Sequence, residues 1–160
     1  MTLAELADSL PNGFHDSALK GFSVDYGNRI ARMEFSLMVG QPDDPAGIRD
    51  NCRDATIELL GMRFLLVSAP DANESLDCGT EVWIVDGYET DEILSYCKEL
   101  DPKLLQSFTP DVFAFSFYVN DWNSYIHVAA KDCKMQWVGA VHAYAGKRQR
   151  YYPGETVDLS

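Results

Sequence analysis

The chain has 160 residues, 46% of them hydrophobic and 12% aromatic, which is enough apolar material for one domain with a buried core and too much for a disordered segment. Its formal net charge is −12, from 13 Lys and Arg against 25 Asp and Glu. That balance argues against nucleic acid and anionic membranes as partners, because both need a basic face, and makes a basic protein the electrostatic complement.

Residues 2–10 are predicted as a short helix. Thr2 and Glu5 form a capping-box pair, Leu3, Leu6 and Leu10 share one face, and Pro11 closes the segment. The turn-forming Asn12-Gly13 then leads into Phe14-His15-Asp16. Asp16 is placed to accept backbone N–H groups from Ser17 onward, and His15 can donate a ring nitrogen to a carbonyl and so pin the start of the sheet. Chemistry would instead need His15 in a pocket beside a nucleophile or a second ligand. Neighbouring side chains on an extended chain point opposite ways, so the pair reads as architecture and not as a catalytic dyad.

From Gly21 the hydrophobic period is two. Phe22, Val24 and Tyr26 alternate with polar residues, as do Ala31, Met33, Phe35 and Leu37 after Gly27-Asn28. A two-residue, glycine-first turn at Gly27-Asn28 would set Val24 opposite Ala31 and Phe22 opposite Met33. Residues 40–53 read as a loop, 54–60 and 62–68 as strands bent at Gly61, 70–80 as a second loop and 81–85 as a short strand.

Thr90 can cap a helix over about 90–100, with Asp91 and Glu92 near the positive end of its dipole and Ile93, Leu94, Cys97 and Leu100 on its apolar face; Asp101-Pro102 ends it. Residues 112–120 are apolar on both faces, as in a central buried strand, and 124–130 form the return strand. Trp122 stands in the polar connection between them, as a lid over the core edge or a binding anchor. His127 shares a strand face with Tyr125 and Ala129 and reads first as a partly buried histidine satisfied by hydrogen bonds. Another strand runs through Met135, Trp137, Gly139 and Val141. The expected fold is therefore mainly β (α+β): antiparallel sheets in a sandwich or partly open barrel, with two short helices. A single β-rich domain would span 1–146, and 147–160 would be a polar tail.

Recognised catalytic and cofactor patterns fail on spacing. GAVHAYAGK at 139–147 has six residues between its glycines where a phosphate loop needs four, and Arg148 stands where Ser or Thr would hold magnesium. The run from Asp71 to Ser75 starts like a calcium loop, but Leu76 replaces the turning glycine and Val82 the bidentate glutamate. Cys52, Cys78, Cys97 and Cys133 form no CxxC pair. No cofactor or metal is expected. MTLAELADSL is neither a signal peptide nor a membrane span, so the reading is cytoplasmic with reduced thiols, Cys97 and Cys133 serving as small buried apolar groups.

The run Asn12-Gly13-Phe14-His15-Asp16, followed by Lys20-Gly21-Phe22-Ser23-Val24-Asp25-Tyr26, resembles the start of an uncharacterised family of small bacterial β-rich proteins, and FYVNDWNSYIHVAAKDC at 117–133 fits the same pattern. A looser resemblance, confined to the N-terminal motif and hairpin, runs to immunity proteins of bacterial toxin systems. The first implies a bacterial cytosolic protein and brings no catalytic residues. The second implies a protein that binds and blocks a toxin.

Charge is unevenly spread. Residues 71–101 hold ten acids and one base, Lys98, a net of −9. Such a run is either a solvated face or a surface for a basic partner, with Asp77, Glu81, Asp86, Glu89, Asp91 and Glu92 as the contact candidates. The favoured function is a non-catalytic acidic interaction protein of immunity type; a homodimer is compatible with the sequence. The alternatives are a small-ligand-binding β domain lined by Phe113, Phe115, Phe117, Trp122, Tyr125 and Trp137, and a hydrolase-type enzyme using His15, Asp16 and His127.

Overall fold

The computed structural model describes residues 1–41, 43–45, 47–70, 81–90, 92–100 and 102–144. The first helix, α1 (Leu3–Ser9), carries the expected capping box. The Thr2 hydroxyl accepts the Glu5 N–H at 3.1 Å, and the Glu5 carboxylate accepts the Thr2 N–H at 2.8 Å. Leu3, Leu6 and Leu10 are buried together, and the chain turns at Pro11.

Strands β1 (Ser17–Asp25) and β2 (Ile30–Met38) form the expected hairpin, with Val24 opposite Ala31 and Phe22 opposite Met33. The connection corrects the two-residue turn. Asp25 pairs with Ile30, leaving residues 26–29 as the loop. The Asp25 carboxylate accepts the backbone N–H of Asn28 at 3.0 Å and its side-chain N–H at 2.8 Å, and Arg29 takes the left-handed conformation, φ +55°. A side-chain-capped turn followed by a left-handed residue favours the longer loop.

The remaining strands are β3 (Asn51–Leu60), β4 (Phe64–Val67), β5 (Val82–Glu89), β6 (Phe113–Val119), β7 (Ser124–Ala130) and β8 (Asp132–Ala143). The strand predicted at 81–85 thus runs on to Glu89. Helix α2 (Glu92–Leu100) follows β5. The second loop falls largely outside the described residues, as does the tail. All the described strands join one antiparallel sheet, ordered β4-β7-β6-β5-β1-β2-β3-β8, so the choice between sandwich and barrel resolves to a single sheet that is not closed into a barrel.

One corner explains how the edges of that sheet relate. Chain passes from β3 to β4 through residues 61–63 and from β7 to β8 through Lys131 alone. Lys131 N–H donates to Leu60 C=O at 3.0 Å and Arg63 N–H to Ala129 C=O at 2.8 Å, so the two arms turn side by side, with Gly61 at φ +63°. The sheet also curves strongly. Three strand spacings separate β6 from β2, about 14 Å in a flat sheet. Yet the rings of Phe117 on β6 and Phe35 on β2 are 5.7 Å apart. The concave face collects apolar side chains from β1, β2, β3, β5, β6, β7 and β8, and α1 packs against them.

The opposite face is covered over β6 and β7 by α2. Ile93 and Cys97 are buried there against Ala129, with Phe64, Leu105 and Phe108 around them. Cys133 is buried on the concave side, so the expectation for Cys97 and Cys133 holds.

Gly87 sits on the concave face opposite Phe117, where an added Cβ would lie 2.6 Å from a ring carbon of Phe115. Gly87→Ala is expected to cost roughly 1–3 kcal/mol in urea unfolding through overpacking. Gly21→Ala, which meets no atom within 4 Å, should stay within about 0.5 kcal/mol of the parent. Equal, small effects would count against this packing.

Candidate functional site

The N-terminal motif is built around Phe14, which is 1% exposed and centred among Phe35, Phe115 and Phe117 at ring distances of 5.1–5.7 Å. Polar neighbours hold it there. Asn12 Nδ2 donates to Gly40 C=O at 2.5 Å, and His15 N–H donates to Asn12 C=O at 2.9 Å. His15 Nδ1 lies 2.5 Å from the carbonyl of Val85; a carbonyl only accepts, so Nδ1 carries the hydrogen. Val85 lies at the register shift of β5 against β6. His15 therefore fastens the start of β1 to a bulge on its neighbour, the architectural role expected of it.

One expectation about this motif fails. Asp16 is not extended: its φ is +55°, which turns its carboxylate back to 3.5 Å from His15 Nε2. The two side chains do meet, with His15 55% exposed and Asp16 21%. The next hydroxyl, Ser17, is fully buried opposite Ile84, on the face that Leu19 lends to the core, with no hydrogen-bond partner among the described residues. A catalytic arrangement needs an accessible nucleophile, and this hydroxyl is not one.

His127 has the hydrogen-bonded environment expected of it but is fully, not partly, buried. It is 0% exposed, its Nδ1 shares a 2.6 Å hydrogen bond with Ser116 Oγ, and its ring stacks on Tyr125 at 5.5 Å. Ser116 and His127 are directly opposed across β6 and β7. Strands β5 and β6 stand between His127 and the His15–Asp16 pair, so the structure does not gather the three residues of the hydrolase alternative. Trp122 lies half-buried in the short 3-10 turn Asn120–Trp122 and packs on the core, the lid position. Beside it, and missed from sequence, Asp121 is buried and accepts the Trp83 N–H at 2.7 Å, tying the β6–β7 connection to β5.

Another polar group crosses β1, β2, β3 and β8. Asp54 accepts from Lys20 Nζ at 2.8 Å, lies 3.3 Å from His142 Nε2 and also bonds the Ser36 side chain. Burial alone would raise the Asp54 carboxyl, but the hydrogen bonds from Lys20, His142 and Ser36 outweigh it and hold it below the usual carboxylate range. Burial also pushes the Cys133 thiol up to about 11 and raises that of Cys97. Raised thiols are poor nucleophiles. Among the described residues no group of three His, Cys, Asp or Glu side chains could hold a metal, and no helix is long and apolar enough to cross a membrane.

The described acidic candidates do not share one face. Asp77 and Asp91 lie outside the described residues, and Glu92 opens α2 with its side chain outside the description. Glu81 precedes β5 and is partly exposed, while Asp86 and Glu89 are exposed on β5. Asp86 pairs opposite Tyr118 and Glu89 opposite Phe115, so those two acids stand on opposite faces. The aromatic candidates are likewise divided. Phe115 and Phe117 fill the concave core, and Tyr125 stands on the other face with His127. Tyr125 therefore stands apart from the other five, which belong to the core cluster or pack against it.

No protein family, curated protein or solved structure matches the chain.

Asp54 supplies a pH test. A carboxyl held low in the folded state stabilises the fold above its unfolded pKa, and that contribution disappears as pH falls through the folded value. In urea unfolding, Asp54→Asn is expected to flatten the loss of stability below about pH 4. Parallel acid limbs for parent and variant would contradict the geometry.

Proposed function

We propose that the chain is a non-catalytic acidic interaction protein that binds and blocks a basic protein, as an immunity-type protein would. The observation that carries the reading is the net −9 concentrated in residues 71–101. Charge of one sign accelerates encounter with an oppositely charged partner and suppresses wrong ones. The described part of this stretch also supplies contact chemistry. Asp86 shares its face with the exposed Tyr88, and Tyr125 lies 6.4 Å from Tyr88 and 5.2 Å from Tyr118. Acids beside tyrosines suit a protein interface, where aromatic residues provide buried area and charge provides orientation.

The histidines support the same reading by their other duties. His15 holds Val85, His127 holds Ser116, and His142 holds Asp54. Each fastens one strand to another.

Affinity capture from the native host tests this reading. The parent should retain one basic protein in stoichiometric amount at low salt and release it at high salt, and adding the chain should inhibit that protein's activity. Asp86→Lys combined with Tyr88→Ala should weaken retention by roughly tenfold or more, as loss of a central aromatic anchor with charge reversal does. Absence of any stoichiometric basic partner at low salt would remove the main support.

A further inference from the structure

Arg29 ends the β1–β2 loop, and Arg63 leads into β4. Among the described residues neither lies within ion-pairing distance of a carboxylate, although Lys20, Arg32 and Lys131 all do. Arg63 Nε is buried and donates to no acceptor among the described residues. A guanidinium stays charged at any physiological pH, and leaving one of its donors buried and unmatched is costly.

Both arginines line the same cleft, of about 440 Å³. Tyr26, Met62 and Phe64 also line it, and among the described residues no acid does. In a chain with 25 acids and 13 bases, two arginines in a cleft whose described lining holds no acid stand against the composition. The fold accounts for the cleft. β1 pairs with β5 only from Ser17 to Leu19, its ladder with β2 shifts register between Leu19 and Gly21, and its distal half has no described partner on the β5 side. β4, at the end of the strand order, pairs among the described strands only with β7. The cleft lies between these segments. Its walls are tied together: Met62 N–H donates to Arg29 C=O at 2.8 Å, and Arg63 N–H donates to Ala129 C=O at 2.8 Å. These bonds fix the backbone from which the two arginine side chains reach the cleft.

We propose that this cleft binds a small organic anion: a phosphate or carboxylate head held by Arg29 and Arg63, carried on an apolar or aromatic body that lies against Tyr26, Met62 and Phe64. Arginine matches such heads with paired N–H donors, and the apolar walls select against a bare inorganic ion. The site is separate from the acidic stretch and does not depend on the interaction reading.

Phenyl phosphate, benzoate, inorganic phosphate and neutral benzyl alcohol are the probes, followed by calorimetry and by the side-chain Nε–H resonance of Arg63 in ¹⁵N-labelled full-length protein. Phenyl phosphate or benzoate should bind saturably and shift the Arg63 Nε–H signal; whichever binds more tightly identifies the head group. Benzyl alcohol and inorganic phosphate should each bind at least about tenfold more weakly. Arg63→Gln and Arg29→Gln should each weaken binding by roughly tenfold, while Arg63→Lys, which keeps the charge but loses the planar fork, should fall between. Should a variant fail to fold, the Arg63 resonance in the parent still decides the matter. No saturable shift of that resonance with either aromatic anion, or equal binding of the neutral or inorganic probe, would overturn the assignment.

Discussion

The fold depends on one aromatic contact set. Phe14, which belongs to no strand, inserts between Phe35 of β2 and Phe115 and Phe117 of β6. Those strands are not neighbours; β5 and β1 separate them. A sheet of this width exposes a large apolar face unless it curves and packs on itself or on another layer. Here the only described helix on that face is α1, which is two turns long, so the sheet must supply most of its own cover. Edge-on ring packing at 5.1 and 5.6 Å fixes how far it curves.

Once the sheet is bent, its polar groups are committed to keeping it so. Asn12 and His15 tie the Phe14 segment to the Gly40 loop and to the bulge of β5. Asp121 secures the start of β5, and the Ser116–His127 pair locks β6 to β7 beneath α2. Asp54 links β1 to β8. Buried polar groups must find partners, and a curved sheet with a bulge at Val85 leaves carbonyls and hydroxyls that strand ladders alone do not satisfy. The histidines and aspartates that first suggest chemistry are largely explained by this demand. Functional expectation then moves to charge and aromatic surface on β5, and to the arginine-lined gap beside β4.

What the sequence made legible followed chain distance. The α1 capping box, the β1–β2 register and the paired strands β6 and β7 are local features, set by a cap or a short turn. Ser116 opposite His127 was in reach as well, because a hairpin centred between Asp121 and Trp122 makes those two residues partners. Pairings without a connecting turn were not legible. β1 against β5 and β3 against β8 create the His15–Val85 and Asp54–His142 contacts, and no local pattern specifies either register. The left-handed Asp16 was also hidden, since a lone aspartate adopts that conformation only where its surroundings require it. The division of Asp86 and Glu89 between two faces follows from strand parity, but only once β5 is known to reach Glu89.

Equilibrium unfolding of Phe14→Ala measures the central contact most directly. If Phe14 joins the two halves of the curved sheet, truncation should cost about 3–5 kcal/mol, as for a fully buried phenylalanine, and should loosen β2 and β6 together in hydrogen exchange. A loss below about 1 kcal/mol, with unchanged protection in both strands, would contradict the account.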